Sequence, residues 1–183
     1  MEGVIRTRVG YAGGEVPNPT YRKIEDHTET IQIEYDPEVI TYEELIGVFW
    51  ESHNPLASAW SRQYMSIVFV HNDEQEAVAT ETLKQIESEK GRKVQTVIRP
   101  YDTFYSAEDY HQKYYMQNRG EIFDAVREFY PSFDAFVDST TAARINGYLA
   151  GHGSSEQFQR EMDLIGLPEP VEEQLRRMAE AYW

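Results

Sequence analysis

The feature that most limits what this chain can fold into is a strict alternation over residues 29–35. Ile31, Ile33 and Tyr35 fall on one side, and Thr30, Gln32 and Glu34 on the other. A period of two over this length is a half-buried strand, with the isoleucines expected toward a core. Before it, Val4–Val9 reads as a short extended run. Gly10-Tyr11-Ala12-Gly13-Gly14 reads as a turn, and Pro17-Asn18-Pro19-Thr20 as an irregular loop whose prolines exclude a helix.

After Asp36-Pro37, Thr41 and Glu44 form a capping box. The helix they open places Leu45, Val48 and Phe49 on one face and stops before Pro55. Ser66–Val70 is an apolar run expected as a buried strand. Asn72 or Asp73 opens a helix to about Lys90, closed by Gly91. Val94–Ile98 is a further strand, and Ser106 with Asp109 opens a helix through Asn118. This order fits a two-layer α+β sandwich better than a doubly wound fold.

Beyond Gly120 the pattern is helical only. Ser139 leads a segment to Ala150, and Ser154 with Gln157 forms a second capping box. Pro168–Trp183 carries Val171, Leu175, Met178 and Tyr182 along one side. The expected organisation is a mixed domain over residues 1–118 and a helical C-terminal extension over 119–183.

Composition narrows the chemistry. The chain has no cysteine, which removes disulfides, cysteine zinc sites, iron–sulfur clusters and any thiolate nucleophile carried by these residues. With 17 Lys+Arg against 32 Asp+Glu, a net charge of -15 argues against nucleic acid as a partner. No apolar run approaches the roughly 20 residues of a membrane helix, and the start lacks a signal peptide's order. A cytoplasmic location without a membrane partner is the expectation. His27, His53, His71, His111 and His152 show no metal-ligand spacing, and no phosphate or calcium loop is present.

Tyr21, Glu29 and Tyr64 are the polar groups most suggestive of a site. A carboxyl flanked by apolar and phenolic groups can remain protonated and donate to a substrate oxygen, which two phenols could also hold. The ordinary alternative is a solvent-facing strand glutamate and two tyrosines packed near turns.

The ordered motifs carry a resemblance. Val9-Gly10-Tyr11-Ala12-Gly13-Gly14, Pro17-Asn18-Pro19-Thr20-Tyr21, Asp26-His27-Thr28-Glu29 and Tyr35-Asp36-Pro37 come first. Phe49-Trp50-Glu51-Ser52-His53-Asn54-Pro55, Gln63-Tyr64 and Phe104-Tyr105-Ser106-Ala107-Glu108-Asp109-Tyr110-His111-Gln112 follow. In this order they resemble the A-type peptide methionine sulfoxide reductases, from about Gly3 to Tyr115.

The resemblance implies reduction of the S epimer of methionine sulfoxide, with oxidised-methionine peptides, proteins or free methionine sulfoxide as partners. In the family a cysteine thiolate attacks sulfur, a glutamic acid protonates the oxygen, and two tyrosines hold it. Glu29 matches the acid, and Tyr21 and Tyr64 match the tyrosines. No cofactor is implied; an external thiol or thioredoxin is the reductant. The family's fold resembles a ferredoxin-like sandwich.

The chain also departs from the family. The Gly-Cys-Phe-Trp-Gly segment has no counterpart, and neither do the first strand, the first helix or the resolving cysteines. The stretch between Pro55 and Gln63 is short and lacks the Gly-Asn-Asp loop, with Trp60 as a possible substitute aromatic wall. The expectation is an inactive chain unless an upstream segment restores the thiol, with the helical tail compensating for the missing sheet cover. A non-catalytic relative that binds methionine sulfoxide or a peptide is the alternative.

Overall fold

Strand β1 (Val4–Ala12) is the centre of a three-stranded sheet, between β2 (Thr28–Tyr35) and β5 (Phe104–Ser106). The computed structural model describes Met1–Tyr182. It divides the chain into two compact units, one of Gly10–Thr30 and Asp36–Ser106, the other of Met1–Val9, Ile31–Tyr35 and Ala107 onward. β1 and β2 therefore each contribute residues to both units. Mixed strands and helices make this an α+β fold, as expected.

In the first unit, Gly10-Tyr11-Ala12 continue β1 rather than turning. They pair antiparallel with Ser106, Tyr105 and Phe104, a strand that the sequence pattern did not reveal. A Cβ on Gly10 would lie 2.2 Å from the Tyr105 carbonyl oxygen, so only glycine lets the two backbones come this close. The turn begins at Gly13, where φ is 80°.

A second sheet pairs β3 (Ile67–Val70) with β4 (Val97–Pro100) in parallel, in the register Ile67↔Val97 and Val68↔Ile98. β4 starts later than expected because the Val94 amide donates to Glu87 and the Gln95 amide to the Pro55 carbonyl, at 2.9 and 2.8 Å. Helices α1 (Tyr42–Glu51) and α2 (Asp73–Lys90) supply the rest of this unit's core. Thr41 and Glu44 close their capping box. Asn72 caps α2 and Gly91 ends it in the left-handed conformation. The buried line of α1 is Ile46 and Trp50, with Val48 exposed, a rotation from the expected Leu45–Val48–Phe49 face. Trp50 brings the larger apolar area, and its indole N–H finds the Thr82 hydroxyl at 3.0 Å.

In the second unit the alternation of β2 holds but its faces are inverted. Ile31 and Ile33 are 56% and 38% exposed, whereas Gln32 and Glu34 are partly covered. The cause is ionic. Arg8 donates to Gln32, Glu34 and Asp138 at 2.9, 2.8 and 2.6 Å, and Arg6 pairs with Glu34 at 3.0 Å. The hydrogen bond from Arg8 is the main reason the Asp138 carboxyl is held below the usual range. That polar layer covers the face expected to meet solvent, while the isoleucine face, expected to be covered, is exposed.

The helices of this unit are α3 (Tyr114–Gln117), α4 (Gly120–Arg127), α5 (Phe133–Val137), α6 (Thr140–Leu149), α7 (Ser155–Ile165) and α8 (Glu169–Glu180). Met116, Ile122, Phe136, Ile145, Phe158 and Leu175 are central to their shared core. The expected single helix from Ser106 to Asn118 is instead a 3-10 turn over Asp109–His111 followed by α3. Lys113 breaks it with φ of 48°, and its ammonium donates to the Thr7 carbonyl. Gln112 reaches the Val9 backbone with both ends of its amide, at 3.0 and 2.8 Å. The second capping box is half formed: Ser154 accepts from the Gln157 backbone, but the Gln157 side chain turns to Glu161. Leu175 is buried on α8 while Tyr182 is exposed, and Trp183 lies outside the described residues.

Candidate active site

Tyr21 stands on an irregular loop from Gly13 to His27, and the pinning of that loop decides where the phenol sits. His27 is fully buried. Its Nε2 lies 2.7 Å from the Val16 carbonyl and its Nδ1 lies 3.3 Å from the Gly14 amide. A carbonyl only accepts and an amide N–H only donates, so the ring carries its proton on Nε2. The edge of the ring meets Tyr105 at 5.4 Å. Asp26 accepts the amides of Glu15 and Val16 at 2.8 and 3.3 Å, and these bonds, Glu15 foremost, hold its carboxyl below the usual range. Gly14 has no room for a side chain, since a Cβ there would lie 2.3 Å from Asp26 Oδ1. Thr20 and Lys23 close the far end of the loop through two backbone hydrogen bonds.

Glu29 is the second residue of β2, and Tyr64 ends a 3-10 turn over Arg62–Tyr64. Two contacts tie that turn down. The buried Thr28 hydroxyl donates to the Arg62 carbonyl at 2.9 Å, and the Arg62 guanidinium donates to the Gly13 carbonyl at 2.9 Å. One residue along, the Gln63 amide nitrogen lies 2.7 Å from Glu29 Oε1 and 3.1 Å from Tyr64 Oη.

Tyr21 and Tyr64 are themselves hydrogen-bonded. That bond is the first cause of a Tyr64 hydroxyl raised above its ordinary value, with lesser contributions from desolvation and from the charge of Glu29. All three residues singled out from the sequence thus meet in one cluster, with Gln63 as the link that residue preferences did not signal. Glu29 is exposed rather than enclosed by apolar groups. Trp60 is 82% exposed and lies over Tyr64, with ring centroids 4.8 Å apart.

The cluster offers one carboxyl and two phenols, a set suited to hydrogen-bonding and protonating a single oxygen atom. His53 is occupied elsewhere: its Nδ1–H donates to the Phe49 carbonyl at 2.8 Å, and Ser66 contacts its Nε2 at 2.9 Å. Among the described residues no group of His, Asp and Glu is arranged to hold a metal ion. No described helix is long and apolar enough to cross a membrane.

The family profile described as "Peptide methionine sulfoxide reductase" matches residues 1–144. A peptide methionine sulfoxide reductase of Drosophila melanogaster is 42% identical over 167 residues, covering 90% of this chain and 67% of the relative. An enzyme of the same name from Sulfolobus acidocaldarius is 41% identical over 128 residues, covering 65% of this chain and 73% of its own. Among solved structures, reduced Mxr1 of Saccharomyces cerevisiae aligns with a TM-score of 0.61 at 32% identity, covering 64% of this chain and 74% of that one. Methionine sulfoxide reductase A of Corynebacterium diphtheriae aligns at 0.53 and 28% identity, covering 64% and 65%.

Proposed function

Because the chain belongs to the peptide methionine sulfoxide reductase family, we propose that Tyr21, Glu29 and Tyr64 form the oxygen-handling half of a methionine S-sulfoxide reductase site. The observation that carries this reading is the cluster itself, three oxygen-bearing side chains joined through one glutamine amide. The phenol hydroxyls donate to the sulfoxide oxygen, and Glu29 delivers a proton to it as the S–O bond breaks.

Reduction consumes two thiols. One sulfur attacks the sulfoxide sulfur, the second closes a disulfide, and the oxygen leaves as water. The 183 residues hold no cysteine, so the attacking thiol must be a protein cysteine that is not among them but is held beside this site, with a thioredoxin-like dithiol as the fitting reductant of the disulfide. A cytoplasmic location accords with this reading, since thiols are kept reduced there. Sulfoxide binding without reduction is the second reading, favoured by the same lack of cysteine.

Calorimetry with a peptide containing methionine S-sulfoxide tests the site. Heat of binding that is larger for the S than for the R epimer is expected, and a folded sample that gives none at millimolar ligand sinks the proposal. With dithiothreitol alone these residues are expected to form no methionine, and its appearance would refute the need for a protein thiol.

A further inference from the structure

We propose that Gln63 is a positioning residue that directs both the acid proton of Glu29 and the hydroxyl of Tyr64 toward the substrate oxygen. The inference rests on the reading of the site given above. The amide nitrogen of Gln63 has two hydrogens and no lone pair to offer. One hydrogen goes to Glu29 Oε1 at 2.7 Å and the other to Tyr64 Oη at 3.1 Å. Each bond restricts its acceptor. With Oε1 receiving an N–H, the proton of the neutral carboxyl belongs on Oε2. With Tyr64 Oη receiving an N–H, that oxygen turns its own hydrogen outward, toward Tyr21 or toward a sulfoxide oxygen.

The same amide still holds Oε1 after the proton has left, so the new carboxylate meets a donor already in place. Placement of Gln63 is itself secured one residue earlier. Thr28 and Arg62 form a hydrogen-bonded pair at 2.9 Å, and Glu29 and Gln63 form the next. Thr28 is buried, so the surface pairing of Gln63 with Glu29 rests on a neighbouring contact whose donor side is shielded from water.

Gln63→Leu keeps the approximate volume and removes both donors. The test is calorimetric titration of the 183-residue chain with N-acetyl-methionine-S-sulfoxide amide across about pH 3 to 8, a range spanning carboxyl titration. The expected result for Gln63→Leu is binding weakened about tenfold, the scale of a lost hydrogen bond. The pH midpoint of binding is expected to move as well, which a merely structural change would leave in place. Wild type that binds, with Gln63→Leu unchanged in both affinity and midpoint, overturns the inference and leaves the site reading intact. Wild type that does not bind overturns both.

Should Gln63→Leu fail to fold, NMR of the wild type decides the question. The Gln63 side-chain NH2 resonances are expected to move with the same pH midpoint as binding, and to stay still in Glu29→Gln. Resonances that do not move in the wild type refute the inference.

Discussion

The Thr28 hydroxyl donates to the Arg62 carbonyl at 2.9 Å, and the residues that follow each of them, Glu29 and Gln63, meet at 2.7 Å. The contact is buried on the Thr28 side, so it bears on stability and on how Glu29 and Gln63 are paired. Thr28→Val preserves shape but leaves the Arg62 carbonyl without this donor. It is expected to destabilise the chain by about 1–2 kcal/mol, read from the urea midpoint, with Thr28→Ser closer to wild type.

His27 is the buried pin of the loop that carries Tyr21. His27→Phe keeps a ring beside Tyr105 but strands the Val16 carbonyl and the Gly14 amide. A loss of about 2–4 kcal/mol is expected in thermal or urea unfolding. Faster hydrogen exchange at Gly14 would locate the defect in the loop.

Two glycine substitutions are expected to have opposite signs. In Gly10→Ala the new methyl meets the Tyr105 carbonyl oxygen at 2.2 Å, and β1 and β5 must separate. A loss of about 3 kcal/mol or more is expected, since backbone rather than a mobile side chain has to move. In Gly47→Ala, inside α1, nothing lies within 4 Å of the added carbon. A gain of about 1 kcal/mol is expected from helix propensity. Denaturant midpoints measure both.

Burial lowers the Lys113 ammonium to about 8, against an ordinary value of 10.5. Between these values the unfolded chain binds a proton that the folded chain does not. Stability therefore rises with pH across that window, and the cost of the buried charge is fully present below it. Relative to Lys113→Met, the wild type is expected to gain up to about 3 kcal/mol from pH 8 to 10.5, measured by urea unfolding at each pH.

The hydroxyl of Tyr64 stands above its ordinary value chiefly through its bond to Tyr21. It therefore stays a donor well into alkaline solution. In Tyr21→Phe its ultraviolet titration is expected to fall back toward that of a free phenol. Sulfoxide binding should weaken by about fivefold to tenfold, one neutral hydrogen bond's worth. An unchanged titration would remove Tyr21 as the cause.

Local chemistry was legible in the chain. The capping box at Thr41 and Glu44, the stop at Gly91 and the alternation of β2 are decided by contacts within a few residues. So was the family, because Tyr21, Glu29 and Tyr64 stand in an ordered series of short motifs. Other features depended on partners far along the chain. The strand at Phe104–Ser106 exists because β1 offers an edge there, and Gln63 gains its significance only where Thr28 draws the turn against β2.

The residues alone determined that β2 alternates, that these 183 residues carry no thiol, and which three side chains stand where the family motifs place Tyr21, Glu29 and Tyr64. Tertiary structure decided which side of β2 is covered. Periodicity states that two faces differ, but not what lies against either one. Here Arg6, Arg8 and Asp138 lie against the polar face, because burying charges together requires partners that only the folded chain brings within hydrogen-bonding distance.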